Sequence, residues 1–174
     1  GGMHLILQVV TDDAVNVETD LAAERLREDL RNRQIAFAEV HKRDVKSLEV
    51  RDVDPQKHSE VRAVIDEGFP SWDRSSLPGA SNSYLVTLKA SVERQIRTGS
   101  VQQAVQTIRN RVDQLGVTEP VIQEHGPAEE HQILVQLPGV DDAARVKEII
   151  KSTALLELKL VEPVAADGAE EPAF

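Results

Sequence analysis

The spacing of apolar and polar positions predicts short strands alternating with amphipathic helices. "HLILQVV", residues 4–10, is a run of branched apolar side chains and predicts a central strand buried on both faces or nearly so. From Thr11 to Gln34 the period becomes helical, with Val17, Leu21, Leu26 and Leu30 as the expected apolar stripe of a helix over about 15–33. "IAFAEVHKRD" and "SLEVRDVD" alternate apolar with polar positions and predict a hairpin with one wet face, turning near Arg43 and Asp44. Asp54 and Pro55 open an expected helix over about 55–67, with Val61, Val64 and Ile65 as its stripe and Gly68 as its stop. "FPSWDRSSLPGASNS" is a Pro-, Ser- and Gly-rich loop with one short edge strand expected around Ser71 to Ser75, and "YLVTLKA", 84–90, is again a strand.

The longest helical signal follows. Val101, Val105, Ile108, Val112 and Leu115 recur at steps of four, three, four and three. Ser100 and Gln103 have capping-box spacing, and 90–97 also looks helical, so Gly99 is expected to break or bend one long helix. In "RNRVDQLGVTEP", 109–120, Arg109 and Arg111 fall at the carbonyl end of that helix, where the macrodipole favours them, and Gly116 suits a left-handed C′ cap. Glu119, preceding Pro120, is expected to be extended. "PVIQEHG", 120–126, and "QILVQLP", 132–138, form a second expected hairpin ended by Pro138 and Gly139. Asp141 or Asp142 then caps a helix through Val146 and Ile150, "ALLELKLVE", 154–162, is a last strand, and "PVAADGAEEPAF" reads as a linker or tail.

This order approximates the split βαβ unit twice, with the strand at 84–90 able to open the second unit. The fold class is therefore α+β: ferredoxin-like units, antiparallel sheets with helices on one face. The expected organisation is residues 1–89 as the first strand plus an α-β-β-α-β elaboration, 90–162 as a ferredoxin-like base unit with strand 3–10 available to its sheet, and 163–174 as an acidic linker.

Composition narrows the function classes. A chain of 174 residues can bury roughly 70% of its unfolded surface, and at 40% hydrophobic and 29% charged it is composed to fold. A net charge of −10 repels nucleic acid and anionic lipid, and 3% aromatic content leaves no stacking platforms. With no cysteine, thiol catalysis and thiolate metal sites are excluded. The nucleophile elbow, the phosphate loop and the dinucleotide fingerprint do not occur in the sequence, so an enzyme is not expected, nor any cofactor. His125, Glu129, Glu130 and His131 crowd one hairpin loop, but they lack the i, i+4 helical spacing of a zinc motif, and a solvated loop explains them better. His41 and His58 have no paired spacing. Asn110 and Arg111 are the polar residues the helical period leaves least explained, and hydrogen bonds to the helix end or adjoining turn are favoured over ligand contact.

Three blocks carry a resemblance: "GGMHLILQV", "IRNRVDQLGVTEPVIQEHG" and "ILVQLPGVDDAARVKEIIKSTALLELKLVE". In that order they resemble the first extracytoplasmic region of the SecD family of bacterial protein translocase subunits. The matching positions are Gly1, Gly2, Arg109, Asn110, Arg111, Gly116, Glu119, Pro120, Leu137, Pro138 and Gly139, taken as structural or interface residues rather than catalytic ones. The resemblance implies that Gly1 follows a membrane helix outside this sequence, and that a mobile head subdomain lies beyond the acidic linker. It also implies a bacterial inner-membrane protein with this region on the periplasmic side. There it would be a non-enzymatic base domain that works with SecF and the Sec translocon, uses the proton motive force and meets unfolded preprotein. Membrane contact would come only through transmembrane helices outside this sequence. The residues alone leave a second reading open, a ferredoxin-like small-molecule-binding regulatory module.

Overall fold

In chain order, the computed structural model has β1 (Gly2–Val9), α1 (Asp12–Asn32), β2 (Glu39–Asp44), β3 (Ser47–Arg51), α2 (His58–Gly68), β4 (Trp72–Ser76), β5 (Tyr84–Leu88), α3 (Ala90–Gln114), β6 (Val121–His125), β7 (Gln132–Pro138), α4 (Ala143–Thr153) and β8 (Leu158–Ala165). It describes residues 2–153 and 158–165. The chain divides into two units, one built from Gly1–Asp13 and Ile96–Phe174, the other from Ala14–Gln95.

In the first unit four strands form a sheet of order β6-β7-β1-β8, every neighbouring pair antiparallel. With α3 and α4 as the connections, this is an α+β arrangement compatible with the ferredoxin-like split βαβ. Burial alternates along β1: Met3, Leu5, Leu7 and Val9 are buried, while His4, Ile6 and Gln8 are half-buried. The strand is central as expected, but it is not buried on both faces, because the apolar positions of α3 and α4 join only one of them. That core takes Leu5, Ile133, Val135 and Leu137 from the sheet, Ile108 and Val112 from α3, and Val146 from α4. Each such side chain contributes about 1.5–3 kcal/mol of burial free energy.

The second unit has a sheet of order β2-β3-β5-β4, again wholly antiparallel. Here β5 lies between β3 and β4, so the strand at 84–90 does not join the sheet of β6 and β7, whose first strand in the chain is β1. The apolar face comes from Val40, Leu48, Val50, Val86 and Leu88, with Trp72 at the β4 edge. The helices of this unit bury Leu26 and Leu30 from α1 and Val61 and Ile65 from α2.

Several boundaries move for physical reasons. On α1 the buried face is Val15, Thr19, Ala22, Ala23, Leu26 and Leu30, whereas Val17 and Leu21 are 59% and 57% exposed. The expected stripe mixed two faces: at about 100° per residue, positions nine apart lie on opposite sides of a helix, which separates Val17 from Leu26 and Leu21 from Leu30. Ile35–Ala38 precede β2 rather than belonging to it, although Ile35 is buried. Helix α3 runs unbroken through Gly99, and Ser100 caps nothing: its Oγ donates to the Ile96 carbonyl inside the helix. Asp142 is the residue that caps α4, its Oδ1 accepting the Arg145 N–H at 3.1 Å. The last strand is Leu158–Ala165 instead of 154–162; residues 154–157 lie outside the described residues. Pro163 falls inside that strand, opposite Leu5, where an edge position tolerates a residue without an N–H.

Candidate functional site

The sequence motifs converge on one end of the first unit. Helix α3 stops at Gln114, the Leu115 and Gly116 amides donate to the carbonyls of Val112 and Asp113, and Gly116 takes φ +72°. That left-handed cap turns the chain toward β6. Glu119 takes φ +53°, not the extended geometry expected before a proline. The turn from Gly116 to Pro120 has to reverse the chain within a few residues, and this overrides the pre-proline preference.

Arg109 is the connecting side chain. Its Nη2 donates to the Ile122 carbonyl at 2.9 Å, so the last turns of α3 are tied to edge strand β6. Arg111 reaches only along its own helix, its Nη1 donating to Gln114 Oε1 at 3.3 Å. Asn110 Oδ1 accepts from Gln106 Nε2 at 3.0 Å on the exposed helix surface.

At the same end, register places Gly2 opposite Pro138 and Met3 opposite the fully buried Leu137. Gly139 takes φ +75° and turns the chain toward α4. A shallow groove of about 230 Å³ lies where this turn meets the end of α3, lined by Leu115, Val117, Gly139, Val140, Asp142 and Arg145. The structure therefore gathers Gly2, Gly116, Leu137, Pro138 and Gly139 around one sheet end. It holds Arg109 against the neighbouring strand and leaves Asn110 and Glu119 on the surface. Gly1 lies outside the described residues.

The loop histidines form no centre. Among the described residues no group of three or more His, Cys, Asp and Glu side chains is placed to hold a metal ion. His131 has φ +54° and its carbonyl accepts the Val9 N–H at 2.9 Å, which fastens the loop to β1. Burial, followed by the Arg97 charge, lowers the pKa of its imidazole below the ordinary 6.5.

The second unit carries polar networks that sequence spacing did not reveal. Glu49, its side chain only 10% exposed, accepts from Arg51 Nε at 3.1 Å and lies 2.7 Å from His41 Nε2. The Arg51 hydrogen bond, outweighing desolvation, holds this carboxyl below its usual range. His58 bridges the Tyr84 hydroxyl and Asn82 Oδ1, the latter at 2.9 Å. Arg74 forks onto Asp66 with two bonds of 2.9 Å, which lowers the Asp66 carboxyl and raises the Arg74 guanidinium. The His58 partners are 24 and 26 positions away, and Arg74 and Asp66 come from different elements. Only the pairing of His41 with Glu49 was available as a signal, from the alternation of the hairpin.

Comparison with known proteins bears on the same elements. The family described as "Protein translocase subunit SecDF, P1 domain, N-terminal" matches residues 101–163, which run from α3 into β8. Protein translocase subunit SecD of Koribacter versatilis is 48% identical over 165 residues, 92% of this chain and 30% of that protein. The chain belongs to the SecD family. The SecD of Calditerrivibrio nitroreducens is 40% identical over 93% of the chain and 31% of its own length, and that of Escherichia coli K12 is 35% identical over 92% and 25%. The chain thus spans between a quarter and a third of the SecD proteins it matches. Coverage this complete means that the Ala14–Gln95 unit is shared with these SecD proteins and is not peculiar to this chain. No solved structure matches. Among the described residues no helix is long and apolar enough to cross a membrane.

Proposed function

We propose that the chain is the periplasmic base domain of a SecD subunit. In this reading it is non-enzymatic and acts with SecF and the Sec translocon at the bacterial inner membrane, where the complex uses the proton motive force to assist preprotein translocation. The observation that supports this most directly is the 48% identity to a SecD protein across 92% of the chain. The geometry agrees with a part that transmits position rather than chemistry. Arg109 ties α3 to β6, and Gly116 and Gly139 set the turns on either side of a packed sheet end. Arg74 and Asp66 are engaged with each other in a structural pair.

The test uses the full-length SecD that carries this region, in cells depleted of their own copy. Replacing residues 1–174 by a flexible linker of matched span should leave the subunit in the membrane while unprocessed precursor of a secreted protein accumulates in pulse-chase labelling. Normal precursor processing with the linker in place would overturn the reading.

A further inference from the structure

Among the described residues the exposed large apolar side chains are Val17, at 59%, and Leu21, at 57%, and both belong to α1. Four positions apart, they adjoin on one strip of the helix surface. A single exposed apolar residue is ordinary, whereas two that adjoin make a patch with a preferred occupant. Continuing the period, Val17, Leu21, Glu24 and Glu28 recur at steps of four, three and four along the outer face of α1, about 16 Å of helix. This seam is apolar in its N-terminal half and acidic in its C-terminal half, with Glu18 and Asp20 on its two flanks.

The cations around the seam neutralise only part of it. Arg25 donates to the Gly68 carbonyl at 3.0 Å and lies over the Phe69 ring, and Arg31 lies over the Phe37 ring. Arg27 donates to the Val40 carbonyl at 3.0 Å and also holds Glu24, whose side chain stays 74% exposed. Lys42 holds Asp20 at 3.1 Å. Glu18 and Glu28, both exposed, meet no cation among the described residues.

We propose that this face of α1 docks a basic amphipathic helix of a partner protein, with apolar residues seated on Val17 and Leu21 and lysine or arginine side chains on Glu24 and Glu28. The proposal stands independently of the translocase reading. Three features select this occupant. The seam repeats at alternating steps of four and three, the spacing at which another helix presents its side chains and an extended segment does not. The carboxylates attract positive charge and repel an anionic lipid surface. They also disfavour a second copy of this chain, since an antiparallel copy centred on the seam sets Leu21 against Glu24 and Val17 against Glu28. A contact of about three helical turns with exposed ion pairs is a weak and exchanging one.

The test is fluorescence anisotropy with the 174-residue chain and a labelled, helix-forming peptide of about 18 residues that carries two leucines and two lysines on one face at the spacing of the seam. The chain should bind this matched peptide at least about fivefold tighter than one of the same composition with the lysines moved to the opposite face, or one broken by a central proline. Leu21→Gln, at an exposed position, should weaken binding by about fivefold, with a thermal melt confirming the fold. E24K/E28K should reverse the preference toward a peptide with glutamates in place of the two lysines. D113N/E124Q, which removes two exposed carboxylates from the other unit, should leave binding within about twofold of wild type. The proposal is overturned if the matched peptide does not bind, if the displaced or proline-broken peptide binds as well, or if Leu21→Gln has no effect. It is equally overturned if D113N/E124Q weakens binding as much as Leu21→Gln does, or if sedimentation shows a dimer that Leu21→Gln dissolves.

Discussion

At the scale of single residues, the family motif divides into side chains with a local structural task and side chains without one. Arg109 has such a task, since its guanidinium satisfies a carbonyl of an edge strand that has a neighbour on only one side. Arg109→Ala should therefore cost about 1 kcal/mol, a typical net hydrogen-bond contribution. The urea midpoint and the amide exchange of β6 would read this; an Ala variant of wild-type stability and exchange would mean that the arginine serves a partner instead. Gly116 has a conformational task. No atom lies within 4 Å of where a Cβ would stand, so the penalty of Gly116→Ala comes only from φ +72° and should be about 1 kcal/mol, with Gly116→Asn costing less. Equal stability of the Ala and Asn variants would show that the cap does not limit the stability of this end. Asn110 and Glu119 have no comparable local contact beyond Gln106, which makes them the motif positions to probe for loss of translocation without loss of stability.

At the scale of elements, the sequence was most legible where large apolar residues keep one period, and least where small or polar residues complete the buried face. The α3 pattern from Val101 to Val112 became a buried stripe, and "QILVQLP" became β7 residue for residue. On α1 the buried face is completed by Thr19, Ala22 and Ala23, which carry little hydrophobic signal, so Val17 and Leu21 misled the phase. The sheet to which each strand belongs was legible only in part: strand 3–10 was available to the sheet it does join, but the strand at 84–90 was left able to open the same unit and pairs with β3 and β4 instead. For the candidate site, the turns at Gly116 and Gly139 could be read from glycine and proline placement. The Arg109 bond to Ile122 could not, since it depends on where β6 docks. Gly99 gives the sharpest contrast between propensity and packing. It sits inside continuous α3 with open space around its Cβ direction, so Gly99→Ala should stabilise the chain by about 0.5–1 kcal/mol through helix propensity alone. A destabilised Ala variant in chemical denaturation would instead show that α3 needs a glycine at this position for its path.

At the scale of the whole molecule, acid should destabilise the two units differently, because the shifted groups lie in different units and start from different ordinary pKa values, 6.5 for His131 against 4.5 and 3.8 for Glu49 and Asp66. His131, in the unit containing β1, has its pKa lowered mainly by burial, so as pH falls through about 6.5 the unfolded state takes up this proton before the folded state does. Stability of that unit is therefore lost from about pH 6.5 down to the lowered folded value, with no further loss from this group below it. In the Ala14–Gln95 unit, the Arg51 bond lowers Glu49 and the Arg74 fork lowers Asp66, so the stability these pairs contribute is present above the ordinary 4.5 and 3.8 and is lost as pH falls through the folded values. Asp66 is 52% exposed at its side chain, and solvent screening keeps its share below about 1 kcal/mol. Trp72, the one tryptophan, lies in this second unit and reports on it separately, while amide exchange of β7 reports on the first. His131→Asn, which tolerates the φ of +54°, should flatten the upper limb seen by β7 exchange and leave the Trp72 midpoint unchanged. Asp66→Asn should lower the Trp72 midpoint at neutral pH and converge with wild type once acid protonates the Asp66 carboxyl in the folded state. A Trp72 midpoint that already falls between pH 7 and 5.5, and recovers in His131→Asn, would show that the two units do not titrate independently.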